Sequence, residues 1–259
     1  MKHTWQKVLT NVQTLGASLQ FFAKVCLHPL RHRFEAGECL KQTVSVSLRS
    51  LPTTMVAGLF TGAILAVQFY IQLKDFGAEA ALGGLNTSGT LREVGPILIA
   101  FMLAGKVGAY TSAELASMKV SLQTDAVKCM GIDPIGYLVV PRFFAVASSA
   151  VVLLSFGLVV SVLGGATAAY LIGGINLTQY LSMLPRFASM EPVVLAVSKA
   201  IGFGVLMGYI CCWNGYHAEG GSQGVGEAVQ KTATQSMVSI VIIDFLISCL
   251  VHAWMQFTH

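Results

Sequence analysis

The chain has 259 residues, of which 54% are hydrophobic and 11% charged, against roughly 45–50% and about 25% in soluble domains. Sixteen basic and 12 acidic side chains cannot clothe a soluble domain of this length in hydrated charge. That composition excludes a water-soluble enzyme, a disordered chain and a disulfide-stapled secreted domain. A net charge of +4 without a dense Lys/Arg run gives no surface for nucleic acid. The expectation is an all-α integral membrane protein, a single domain over residues 1–259.

In chain order, residues 1–45 come first as an amphipathic segment. Trp5, Val8, Leu9, Val12, Leu15, Leu19 and Phe22 recur at three and four residues and so share one helical face. Such a helix fits a place in the bilayer interface, or one packed on another subunit. No compact apolar h-region with a small-residue cleavage site appears, so no cleavable signal peptide is expected.

Residues 46–259 form the predicted transmembrane core. A spanning helix needs about 20 mostly apolar residues. The first span lies in the 24 uncharged residues between Arg49 and Lys74. A second is predicted over Ser88–Tyr110, with Arg92, Glu93 and Lys106 near its ends, where long side chains can snorkel. The third covers about 143–172, broken at Gly173-Gly174 and followed by a short surface helix near 177–188. The fourth runs from Val193 to Tyr216 around Lys199, and the fifth from about Thr232 to Phe257 around Asp244. Gly58 and Gly62, and Gly204 and Gly208, form GxxxG pairs that suit close helix contact.

Five spans put the termini on opposite sides, and Lys/Arg counts decide which. Twelve lie before the first span, between the second and third, and before the fifth; four (Lys74, Arg92, Arg186, Lys199) fall on the other side. The N-terminus is therefore predicted cytoplasmic and the C-terminus outside.

The segment TSAELASMKVSLQTDAVKCMGIDP follows the second span. Thr111 and Glu114 stand in capping-box relation, and Gly131 offers a stop. A helix over about 112–130 is predicted. Its apolar stripe includes Leu115, Met118 and Leu122, with Glu114, Lys119 and Asp125 supplying charge. Apolar anchors beside charges suit docking of a soluble partner or packing within the chain.

Six cysteines make no CxxC and no metal-ligand spacing, so no metal site is expected. Gly105-Lys106 is followed by Val107, and GGSQGVG lacks the Lys of a phosphate-binding loop, so the chain has no ATP-hydrolysing motif of its own.

The elements LREVGP, AGK-x-G, AEL-x-x-M-x-V, G-I-D-P and V-x-P-R, with WNGYHAEGGSQGVGEAVQKTATQSMVSIVIIDF further on, resemble the MlaE-type permeases. The likeness runs from about residue 45 to the C-terminus. It implies the membrane subunit of an ABC transporter that moves phospholipids between the inner and outer membranes of diderm bacteria. It further implies a homodimer with a lipid cavity between its copies and a cytoplasmic ATPase that binds the ATP and Mg. Usually a STAS-domain regulator and an external hexameric ring of MCE-domain subunits complete the assembly. No catalytic residue is expected in this chain.

The resemblance places Arg92, Glu93 and Lys199 by the lipid path and makes the 112–130 helix the ATPase-coupling element. Arg92 and Glu93 could equally form a pair that fixes their helix end. Gln68, Phe69 and Tyr70 are candidate cavity walls or ordinary interhelix packing. Asp244 is expected to make a buried polar contact rather than to carry protons. A lipid-modifying membrane enzyme and a passive scaffold for the external ring are the alternatives.

Overall fold

The computed structural model describes residues 16–29, 36–184 and 190–258, and they are helical with no strand among them. Helix α1 covers 16–29. Five long helices follow, each apolar enough to cross a bilayer. They are α2 (Ala36–Asp75), α3 (Glu79–Val120), α5 (Ile135–Gly173), α7 (Met190–Tyr216) and α8 (Gly221–Thr258). Two short helices, α4 (Gln123–Cys129) and α6 (Leu177–Ser182), lie at opposite ends of the bundle. They define the α4 end and the α6 end of the bundle.

Each expected span is present, and each helix overruns its apolar run. The overruns arise because backbone hydrogen bonding inside a helix costs nothing extra where the chain leaves the bilayer, whereas an unpaired amide within it would. The break at Gly173-Gly174 is real: Gly174 adopts φ +62, the left-handed conformation that ends helices. Asn176 then caps α6, accepting from the Thr178 amide at 3.4 Å. The expected surface helix ends at Ser182, and its predicted remainder over 185–188 lies outside the described residues.

α5 is the central helix. Its small residues meet both GxxxG pairs. A Cβ at Gly58 or Gly62 on α2 would strike the carbonyls of Gly157 and Ser161 on α5. One at Gly204 or Gly208 on α7 would come within 2.6 and 3.0 Å of the Ala147 and Phe143 carbonyls, also on α5. Without a hydrophobic drive between helices in lipid, such backbone approach supplies the dispersion contact that holds them. Ile99, Leu153, Phe203, Met207 and Ile240 fill the space between α3, α5, α7 and α8.

α3 is not a regular helix. It holds two π-helical turns, Thr90–Val94 and Ala104–Gly108, and α5 opens with a third, Ile135–Val139. The first and third end two residues before a proline, Pro96 and Pro141. Proline has no N–H for the carbonyl four residues back and its ring crowds that carbonyl, so widening the turn relieves the clash.

The N-terminal stripe is described only from residue 16, so Trp5 to Leu15 fall outside the described residues. Within α1, Phe21 packs edge-on to Trp213 at 5.3 Å and Phe22 to Tyr209 at 5.3 Å. The apolar face of α1 thus docks on the α4 end of α7.

The predicted single helix over 112–130 is corrected in two ways. First, α3 runs unbroken through Thr111, which is buried inside it and caps nothing. Second, the chain breaks at Leu122, with φ +61, before α4 begins. A cap is needed only where amides lack helical acceptors, and at Thr111 the preceding turn supplies them.

Candidate functional site

Five charged residues of the spanning helices, Arg92, Glu93, Glu191, Lys199 and Asp244, converge at one place in the half of the bundle nearer α6. Arg92 and Glu93 sit on the first π turn of α3. Glu191 and Lys199 lie on α7, eight residues or about two turns apart, and so on one face. Asp244 and Ser248 lie on α8 at i and i+4, again on one face.

Lys199 is the hub and has no solvent exposure. Its Nζ lies 2.8 Å from Glu93 Oε2 and 2.8 Å from Asp244 Oδ1, and donates to the Arg92 carbonyl at 2.7 Å. That carbonyl is the one Pro96 would have served, so the ammonium takes the place of a missing amide. Ser248 donates to Glu93 Oε1 at 3.1 Å, and Arg92 pairs with Glu191 Oε2 at 3.1 Å. Two cations and three carboxylates thus tie α3, α7 and α8 together.

Of the sequence expectations here, Lys199 and Asp244 are neighbours in space, and Lys199 faces these partners rather than an open cavity. Arg92 and Glu93 do not pair with each other: adjacent side chains on a helix diverge, and each finds a partner on α7. The buried polar partner of Asp244 is the Lys199 ammonium. Glu191 and Ser248 escaped the sequence reading, although their spacing from Lys199 and Asp244 carries a signal.

Glu93 is half-exposed at the edge of this cluster, while Lys199 and Asp244 are enclosed. Arg92, Glu191 and Glu93 are partly exposed at the rim, so their ion pairs can exchange with other charged groups. The enclosed Lys199–Asp244 pair fixes the helices behind them.

Gln68, Phe69 and Tyr70 lie elsewhere, along α2. Gln68 is exposed on the outer face of the chain. Phe69 stands beside Gly89 and Tyr70 beside Gly173, both packed against the small cluster of Leu82, Ala166, Ala169, Ile175 and Tyr180. Beneath them, Asn86 donates to the Tyr180 hydroxyl at 2.7 Å, a buried tie between α3 and α6 that sequence reading did not find.

At the α4 end, the six predicted coupling residues separate into two groups. Leu115 is buried in the main core and Met118 packs against it. Glu114 is bound to Arg142 of α5 at 2.9 Å. Leu115 and Met118 are therefore packed within the bundle, a correction to their reading as surface anchors, while Glu114 stays partly exposed at its edge. Leu122 is 65% exposed, and Lys119 and Asp125 pair across the break at 3.3 Å. Met130 and Ile132 are exposed beside them. Leu122, Met130 and Ile132 thus give α4 and its flanks an exposed apolar surface.

No cluster of His, Cys, Asp or Glu able to hold a metal occurs among the described residues.

The chain is similar to known proteins along most of its length. A family model described as "Permease MlaE" matches residues 39–250. A Rickettsia typhi protein named "Probable ABC transporter permease protein" is 35% identical over 213 residues, 81% of each chain. A Synechocystis protein of the same description is 31% identical over 245 residues, covering 95% of this chain and 91% of the relative. The "Intermembrane phospholipid transport system permease protein MlaE" of Haemophilus influenzae is 30% identical over 212 residues, 82% of this chain and 81% of its own. With five apolar spanning helices and a family match across almost all of them, the chain belongs to the MlaE permease family of ABC transporter permeases.

Proposed function

We propose that this chain is the inner-membrane permease subunit through which phospholipids pass between the inner and outer membranes. The observation that carries the reading is the match of residues 39–250 to a family whose Haemophilus relative is named for intermembrane phospholipid transport. The ion cluster on α3, α7 and α8 supports it, because charges kept inside a bilayer are costly and mark substrate paths. Two copies enclose a lipid cavity, with Arg92 and Glu93 at its rim. A separate ATPase binds ATP and Mg, docks on α4 from the cytoplasm and drives the cavity through its cycle. A STAS-domain regulator accompanies the ATPase, and an external MCE-domain hexamer exchanges lipid with the cavity. The α4 end and the N-terminus face the cytoplasm, in accord with the Lys/Arg bias.

Photocrosslinking tests the site. A photoreactive residue placed beside Arg92 in the purified complex is expected to capture phospholipid, and Arg92→Ala or Glu93→Ala to change that capture. Unchanged capture and unchanged transport would reduce the two residues to a fastening between helices. Lipid chemically altered without any ATPase would favour a membrane enzyme, and no ATP-dependent lipid movement would favour a passive scaffold.

A further inference from the structure

A second polar site lies at the opposite end of the bundle from the ion cluster. Between α2, α3 and α5 there is a cavity of about 440 Å³, within the range of small-molecule sites. It is lined by Arg49, Lys106 and Arg142, each of which bounds a different span in the sequence. Their convergence puts the cavity at the level where the apolar runs begin, which is the headgroup layer of the leaflet at the α4 end.

The charges there are not balanced by the chain. Arg142 is charge-paired with Glu114 at 2.9 Å and donates to the Leu138 carbonyl at 2.8 Å. Arg49 and Lys106 have no carboxylate within ion-pairing distance among the described residues. Each is instead held in position by neutral groups. Lys106 Nζ donates to the Arg49 carbonyl at 2.8 Å and to Thr53 Oγ1 at 3.0 Å, leaving one N–H free. Arg49 donates one N–H to the Tyr110 hydroxyl at 3.2 Å and keeps four. The second π turn of α3 carries Lys106 to this place. The remaining carboxylate of the lining, Glu38, accepts from Gln42 at 3.3 Å and stands eleven residues, about 16 Å of helix, from Arg49.

Two anchored, unneutralised cations with free N–H groups fit a phosphate ester. Val46, Val107 and Val146 add apolar patches to a lining of otherwise largely polar residues. The geometry points to a phospholipid-binding site at Arg49 and Lys106, occupied by the phosphate of a lipid from the α4-end leaflet. This site is separate from the ion cluster on α3, α7 and α8. It requires that the chain sit in a bilayer, as the five spans do, but not that it transport lipid.

The test uses the full chain with its natural partners in proteoliposomes, with a photoreactive residue at Ser45 on the cavity lining. Phosphorus-labelled phosphatidylglycerol in the vesicles is one probe, and soluble labelled glycerol phosphate is the other. Labelling by the lipid but not by the soluble ester is expected, falling at least fivefold in the Arg49→Gln, Lys106→Gln double variant. Arg49→Lys and Lys106→Arg, which keep the charges, should retain at least half the signal and control for folding. A second probe at the exposed Gln68 should label equally in all of them. Unchanged labelling at Ser45 in the neutral variant, or equal labelling by soluble glycerol phosphate, would overturn the site. Transport is not read, so a failure of the transport reading leaves this result standing.

Discussion

At the scale of single residues, Lys199 carries most of the electrostatic argument. Removing it leaves Asp244 enclosed without a counter-ion, and breaking a buried pair in this way costs about 3–5 kcal/mol. Lys199→Met is therefore expected to lower the thermal midpoint of the detergent-solubilised chain sharply, as read by fluorescence-detected size exclusion. Lys199→Met combined with Asp244→Leu should recover much of that midpoint, because two apolar groups replace the pair. If the double variant is as unstable as the single, the pair is not the source of the cost. Arg92, Glu93, Lys199 and Asp244 were legible as a set because charge inside apolar runs stands out. Their pairing was not, since it depends on how three helices are turned. The Pro96 effect on the Arg92 carbonyl was within reach of the sequence, as both residues are four apart and proline's missing N–H is a matter of chemistry.

At the scale of elements, the two GxxxG pairs show what pattern can and cannot say. Their use as contact surfaces was readable, but their shared partner α5 was not, because small residues are permissive for any close neighbour. Gly62→Val should separate α2 from α5 and lower the yield of folded protein several-fold, whereas Gly226→Val on α8, where an added Cβ meets nothing within 4 Å, should leave it near the parent level. Equal yields would remove the close α2–α5 approach from the explanation. The capping-box reading failed at Thr111 because a four-residue motif is silent on whether the helix before it has ended. That error shifts the proposed docking surface by one turn or more. Leu115→Asp is now expected to destabilise the bundle, while Leu122→Asp with Met130→Asp should leave it folded and release the ATPase in a pull-down. Retained ATPase would disprove docking at α4.

At the scale of the whole molecule, burial is uneven. α8 buries only 17% of its apolar window within the chain and α2 28%, against 50–56% for the other three spanning helices. Their outward residues, such as Leu59, Phe60 and Ile64 on α2 and Ile242, Phe245 and Leu250 on α8, suit lipid tails or a second copy. The number of spans and their order followed from composition and run length alone, since hydrocarbon tolerates few alternatives to a helix. What sequence could not supply was the grouping of sparse charges into an α6-end cluster and an α4-end cavity. That grouping makes the chain two-ended, with ion-paired carboxylates and cations near one face and unneutralised cations near the other.

The most direct measurement is ATP-dependent transfer of a fluorescent phospholipid in proteoliposomes holding this chain with the partners that co-purify with it. Transfer is expected to need ATP and to fall at least tenfold with Arg92→Ala and Glu93→Ala together, while the complex stays assembled. Transfer at the same rate without ATP, or unchanged in that double variant, would contradict a permease whose lipid path runs past the α3–α7–α8 ion cluster.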